Sequence, residues 1–149
     1  MVRNGGRRVH QGIDLIAVPG TPLYAVADGT VHLAPAPSSS YAYGNTLLLV
    51  VNVDDLPAKQ AAAFLAVNQG NRTIGFFYAH LQEFSVRSGP VTAGTAIAKS
   101  GSSGNASNMT TVATGAHLHF EVRKEALTRA AGLENRVDPL LFLDHYTDR

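Results

Sequence analysis

In the stretch Ala116–Arg123, His117, His119, Glu121 and Arg123 alternate with Leu118, Phe120 and Val122. That period of two is the mark of a β-strand with one buried face. Residues two apart on a strand lie about 7 Å from each other and point the same way. His117 and His119 therefore project side by side from a packed wall. Two imidazoles held in this way suit one metal ion, or one metal ion and one proton-transfer step.

A second group of reactive residues is His10-Gln11-Gly12-Ile13-Asp14. Residues four apart on an ideal strand are about 13 Å apart, too far to share an ion. The following sequence, with its glycines and β-branched residues, is poor helix. The reading that unites the two side chains places His10 in a loop, lets Gly12 curl the backbone, and puts Asp14 at the start of a strand. His10, Asp14 and either His117 or His119 then form a set of two imidazoles and one carboxylate. Zinc favours such donors, and a fourth position stays open for water. Water held there ionises near pH ~7 and is a nucleophile at neutral pH. The histidine of the pair that does not bind would stand beside it. His80 ends the apolar run Phe76–Ala79 and supplies a third motif; alone it reads as a surface histidine at a strand end.

The elements that position these groups are short. Fourteen glycines and seven prolines divide the 149 residues into brief β-branched runs, the punctuation of an all-β domain. Strands are expected at Gly12–Ala17, Pro22–Ala25, Gly29–Ala34, Asn45–Val53, Thr73–His80, Ala96–Lys99 and His117–Arg123. Tight turns are expected at Pro19-Gly20 and Asp28-Gly29, and an exposed loop at Pro35–Tyr41. Asp54–Gln69 differs. Asp54 or Asp55 is available as an N-cap, Pro57 falls in the first turn, and Gly70 stands where a C-cap belongs. With Leu56, Gln60, Ala63, Phe64 and Val67 as an apolar stripe, the segment is expected to be a helix packed on the sheet. A short helix is expected within Glu125–Gly132, followed by an apolar closing segment at Val137–Leu143.

Composition limits the rest. A hydrophobic fraction of 45% and a charged fraction of 15% are those of a globular chain long enough for one core. We expect a single domain over residues 1–149. A net charge of +1 offers no case for nucleic acid as partner, and no apolar run approaches the ~20 residues of a membrane span. Cysteine is absent, so His, Asp and Glu are the available ligands. No basic start followed by an apolar core marks a signal peptide.

The order His10-x3-Asp14, then Tyr78-Ala79-His80-Leu81, then Gly115-Ala116-His117-Leu118-His119-Phe120-Glu121 resembles the LytM/lysostaphin-type zinc metallopeptidases, which cut peptide bonds of bacterial peptidoglycan. The likeness extends to Gly20–Val31, Tyr43-Gly44-Asn45, Val91–Gly94, Ser100–Gly104 and Val137–Leu143. It implies a mostly β fold, an antiparallel sheet with a substrate groove. It implies that His10, Asp14 and His119 bind Zn²⁺, and that His80 and His117 are the catalytic pair, one a general base and the other stabilising the oxyanion. His117 is the expected base, because the strand fixes it beside His119. Glu121 is expected as a salt-bridge partner of Arg123. Tyr78 is expected to be half-buried on its strand, and His32 and His145 to be exposed. Two segments depart from the family pattern, Asp54–Gln69 and Asn108–Ala113, and both are expected to border the groove.

Two other readings compete. An iron oxygenase also uses two histidines and a carboxylate, but its first histidine and carboxylate are usually two apart and it needs neither His80 nor the adjacent His117. The other is a catalytically latent LytM-like peptidoglycan-binding or activator module: all five positions are filled here, which argues against lost ligands, while an intact site can still be blocked by a neighbouring segment or a partner. The expected product is a monomeric wall-cutting domain acting in the periplasm or the extracellular wall. It would be part of a toxin, effector or lysin, and an injected toxin would need a cognate immunity protein in the producer.

Overall fold

The computed structural model describes residues 2–3, 8–9, 12–33, 43–67, 70–127 and 135–142. Their strands are β1 Val2–Arg3, β2 Arg8–Val9, β3 Ile13–Ile16, β4 Pro22–Tyr24, β5 Gly29–Leu33, β6 Asn45–Asn52, β7 Thr73–Phe84, β8 Gly89–Val91, β9 Ala96–Ser100, β10 His117–Arg123 and β11 Arg136–Val137. Nine of them form one antiparallel sheet in the order β11-β10-β7-β6-β5-β8, with β3 added to β10, β9 to β7, and β4 to β9. The chain is thus mostly β, as its punctuation requires.

One face of this sheet is the main core. Leu47, Leu49, Val51, Ile74, Phe76, Phe120 and Val122 are buried there. Phe76 stacks on Phe120 with ring centres 6.0 Å apart and meets Phe142 edge-on at 5.5 Å. Burying each such ring contributes roughly 1.5–3 kcal/mol. The Tyr78 ring is also on this face, buried rather than half-buried. Its hydroxyl donates to the Tyr24 carbonyl, and burial raises its pKa well above the phenol range.

Among the described residues one α-helix, α1, runs Ala58–Leu65 after a 3-10 turn at Val53–Asp55. The cap differs from the expected one: the Asn52 side chain accepts from the Asp54 amide, and Pro57 immediately precedes the helix. Phe64 and Leu56 enter the main core with Ala61 packed against it, whereas Val67 is exposed. The helix therefore covers the face of the sheet turned away from the histidines, and the expectation that it borders the groove is not met. Its amphipathic face reaches the larger apolar surface, which is the core face. Residues 68–69 lie outside the described set.

Near the C-terminus, the described part of the expected helix, residues 125–127, is bend and turn, and its remainder lies outside the described residues. A 3-10 turn at Pro139–Phe142 docks Phe142 on the core instead. The Pro35–Tyr41 loop, Leu143 and His145 lie outside the described residues, and His32 is exposed. Among the described residues no helix is long and apolar enough to cross a membrane.

Candidate active site

The opposite face of the sheet carries the chemistry. His119 pairs with Ala79 and Glu121 with Phe77 on β7, and Phe77 pairs with Leu48 on β6. Directly paired residues share a face, so the polar row of β10 lies beside the small cluster of Leu48, Phe77 and Ala79, with Tyr43 packed against it. On the other flank, β3 brings Asp14 opposite His119 and Ile16 opposite His117. Strand pairing alone thus joins residues 105 positions apart.

All seven residues of β10 are buried, where one buried face was expected. The polar row is covered because its members satisfy one another. Glu121, fully buried, accepts from His119 Nε2 through Oε2 at 2.8 Å. Its Oε1 accepts from Arg136 Nε at 2.8 Å and from Arg123 at 3.3 Å. Arg123 in turn lies over the Phe77 ring, 4.1 Å from its centre. A buried charge is tolerated when it is paired in this way. The pairing of Glu121 with Arg123 was expected; the bonds to Arg136 and His119 were not. Burial alone would raise the Glu121 pKa. The His119 bond and the two guanidiniums outweigh it and bring the pKa down to about 2.

His80 reaches this face through a defect in the strand. Alternation would send it to the core side, since Ala79 faces the site. The β6–β7 register, however, steps from Leu47 opposite Tyr78 to Asn45 opposite Leu81, so β7 holds one extra residue. His80 has φ +61°, the left-handed conformation that side chains other than glycine rarely adopt. Such a β-bulge re-aims a side chain. Ala79 and His80 both face the site, and Leu81 returns to the core.

The bulge is held by Ser103, whose hydroxyl accepts from the Asn45 amide at 3.0 Å and donates to the Leu81 carbonyl at 2.8 Å. Gly44, at φ +66°, lets the start of β6 pass so close to Ser103 and Gly104 that a Cβ there would collide with both.

Each imidazole is fixed by a bond on its outer nitrogen. His80 Nδ1 donates to the Ser103 carbonyl and His117 Nδ1 to the Gly115 carbonyl, both at 2.8 Å. Their Nε2 atoms are the ones left to act. For His119 the roles reverse: Nε2 is taken by Glu121, and Nδ1 lies 3.1 Å from Asp14 Oδ1. The same Asp14 oxygen is 3.7 Å from His117 Nε2. The His80 and His117 rings are 5.0 Å apart edge-on, and Tyr43 stacks on His119 at 4.9 Å.

Burial lowers the His80 pKa to about 4 against the weaker opposing pull of the Ser103 carbonyl, so this ring is neutral at pH 7. For His119 burial also disfavours charge, but bonds to Asp14 and Glu121 prevail and raise its pKa.

The structure therefore gathers four of the five residues singled out from sequence: Asp14, His80, His117 and His119. His10 lies outside the described residues. Among the described residues no three acidic or imidazole side chains are arranged to hold a metal ion. The donor chemistry still suits one, because His119 Nδ1 and Asp14 Oδ1 converge while the other His119 nitrogen is tied back. Sequence reasoning gave no role to Ser103, Gly115 or Arg136. The first two act through main-chain carbonyls. Arg136 arrives on β11, which pairs with Arg123.

Known proteins fit this picture. The chain is 34% identical over 116 residues to the "DD-carboxypeptidase/endopeptidase Mpg" of Neisseria meningitidis serogroup B, a match covering 78% of this chain and 20% of that protein. It thus spans about a fifth of that relative's length. The catalytic domain of the antimicrobial peptidase lysostaphin from Staphylococcus simulans superposes with a TM-score of 0.59 at 28% identity, covering 95% of this chain and 82% of that one. A zinc-containing peptidase from Vibrio cholerae does so with a TM-score of 0.57 at 27% identity, covering 93% and 32%. Residues 49–139 match Peptidase family M23, and the chain, with its open antiparallel sheet and its clustered histidines, belongs to that family.

Proposed function

We propose that this chain is a zinc-dependent endopeptidase that hydrolyses cross-links or stem peptides of bacterial peptidoglycan. The observation that carries the reading is the convergence of Asp14, His80, His117 and His119 from three strands onto one face, each ring held by its outer nitrogen. His10, Asp14 and His119 would hold the zinc. When bound, the ion polarises a carbonyl and lowers the pKa of water.

The remaining work falls to this chain's own groups. With Nδ1 donating to a carbonyl, both His80 and His117 present a basic Nε2, so the resting site is set to accept a proton. Burial makes His80 reluctant to keep one at neutral pH, which favours His117 as the general base. Protonated His117 can then return the proton to the leaving amine. His80, beside it, would stabilise the developing oxyanion in its protonated form, its Nε2 taking a proton from solvent as the negative charge develops. Tyr43 shields His119 by stacking on it.

The same reading puts the site of action in the periplasm or the extracellular wall, as the cutting part of a lysin or antibacterial effector. The test is a digest. Purified peptidoglycan is incubated with metal-free and with zinc-reconstituted protein, and the fragments are mapped by mass. New amine ends that appear only with zinc are expected. Zinc-loaded protein that releases none would instead be a wall-binding module.

A further inference from the structure

We infer that Glu121, clamped between Arg123 and Arg136, is a positioning residue that dictates which nitrogen of His119 is offered to the metal. This rests on the zinc reading above. Imidazole binds a metal through a nitrogen without a proton, so the neutral ring must keep its hydrogen on the other one. Here that other atom is Nε2, 2.8 Å from Glu121 Oε2. The second carboxylate oxygen is occupied by Arg136 at 2.8 Å and by Arg123 at 3.3 Å. Both guanidiniums can only donate. Rotating Glu121 to withdraw its acceptor from His119 would therefore also break its bonds to Arg136 and Arg123.

The inference separates a directing role from charge neutralisation alone through one substitution. In Glu121→Gln the amide has a single oxygen and an NH₂ group. The two arginines are donors and claim the oxygen, which turns the NH₂ toward His119 Nε2. An NH₂ facing that nitrogen demands a lone pair there and drives the ring hydrogen to Nδ1, the atom beside Asp14. The metal-facing nitrogen is then blocked, although ring, fold and shape are otherwise kept.

Two measurements test it. The first is the tautomer of His119 from imidazole nitrogen and carbon shifts in metal-free protein, taken in alkaline solution where the neutral ring prevails. The second is zinc affinity by chelator competition. The wild type is expected to hold its hydrogen on Nε2. Glu121→Gln is expected to hold it on Nδ1 and to bind zinc about tenfold to hundredfold more weakly. A wild-type ring already protonated on Nδ1 overturns the inference even if the variant fails to fold. So does a folded Glu121→Gln that binds zinc as tightly as the wild type with an unchanged tautomer. Wild-type protein that binds no zinc, yet shows the Nε2 hydrogen, would sink the zinc reading and leave the directing role of Glu121 on the ring intact.

Discussion

Acidification should destabilise this fold through His80 in a calculable way. The ring is 3% exposed, and its pKa falls from the ordinary 6.5 to about 4. The native state thus carries fewer protons than the unfolded chain between those values. Stability is then full above pH 6.5 and is lost as the pH drops toward 4. Integrating the difference in bound protons gives a loss of about 1 kcal/mol at pH 5.5 and about 2–3 kcal/mol at pH 4.5, relative to pH 8. The comparison is His80→Asn, which removes the titrating group while tolerating the left-handed backbone. Urea unfolding of both proteins is followed at each pH in chelator, since zinc binding would itself release protons. Groups remote from His80 cancel in the difference, and the neighbours that feel its charge, His117, His119 and Asp14, add a smaller coupled contribution. The stability gap between wild type and variant should therefore shift by about 2–3 kcal/mol against the wild type on going from pH 8 to 4.5. A gap constant to within about 0.5 kcal/mol would refute burial as the state of this ring, and with it the bulge that turns it inward.

His119→Ala is expected to lose both zinc, measured by metal analysis after gel filtration, and activity. His117→Ala should keep the metal and lose turnover by about 10²–10⁴-fold; equal loss of metal in both would contradict the division of roles. Gly44→Ala forces a side chain onto Ser103 and Gly104 at a positive φ. It should cost about 2 kcal/mol or more, seen as a fall in Tm of about 4–8 °C. Phe76→Ala empties the centre of the main core and should cost about 3–5 kcal/mol by denaturant titration.

Much of the frame was legible because it obeys simple periods. The strand at 117–123 has the bounds its alternation predicts, and a helix does interrupt the chain between β6 and β7. Asp14 and His119 meet as the motif order implied. What escaped reading broke a period or used no side chain. The facing of His80 depends on one surplus residue in β7, whereas alternation alone points the ring the other way. β8 is three residues long with Pro90 in it, a composition that suits an edge strand and gives no propensity signal. Arg136 belongs to a two-residue strand, too short for any pattern. Its importance comes only from the buried carboxylate it meets. The helix at 58–65 was visible from composition, but the face it covers is a tertiary choice made by the larger core.

Two of the three acceptors that orient the imidazoles are peptide oxygens, those of Ser103 and Gly115. Replacement by alanine would leave both oxygens in place: at Ser103 it removes only the hydroxyl that braces the bulge, and at Gly115 it acts only through the positive φ. Their contribution would surface only in variants that move the peptide itself. The turn residues beside Ser103 and Gly115, rather than the histidines alone, are therefore where an engineer could retune this centre without touching a reactive group.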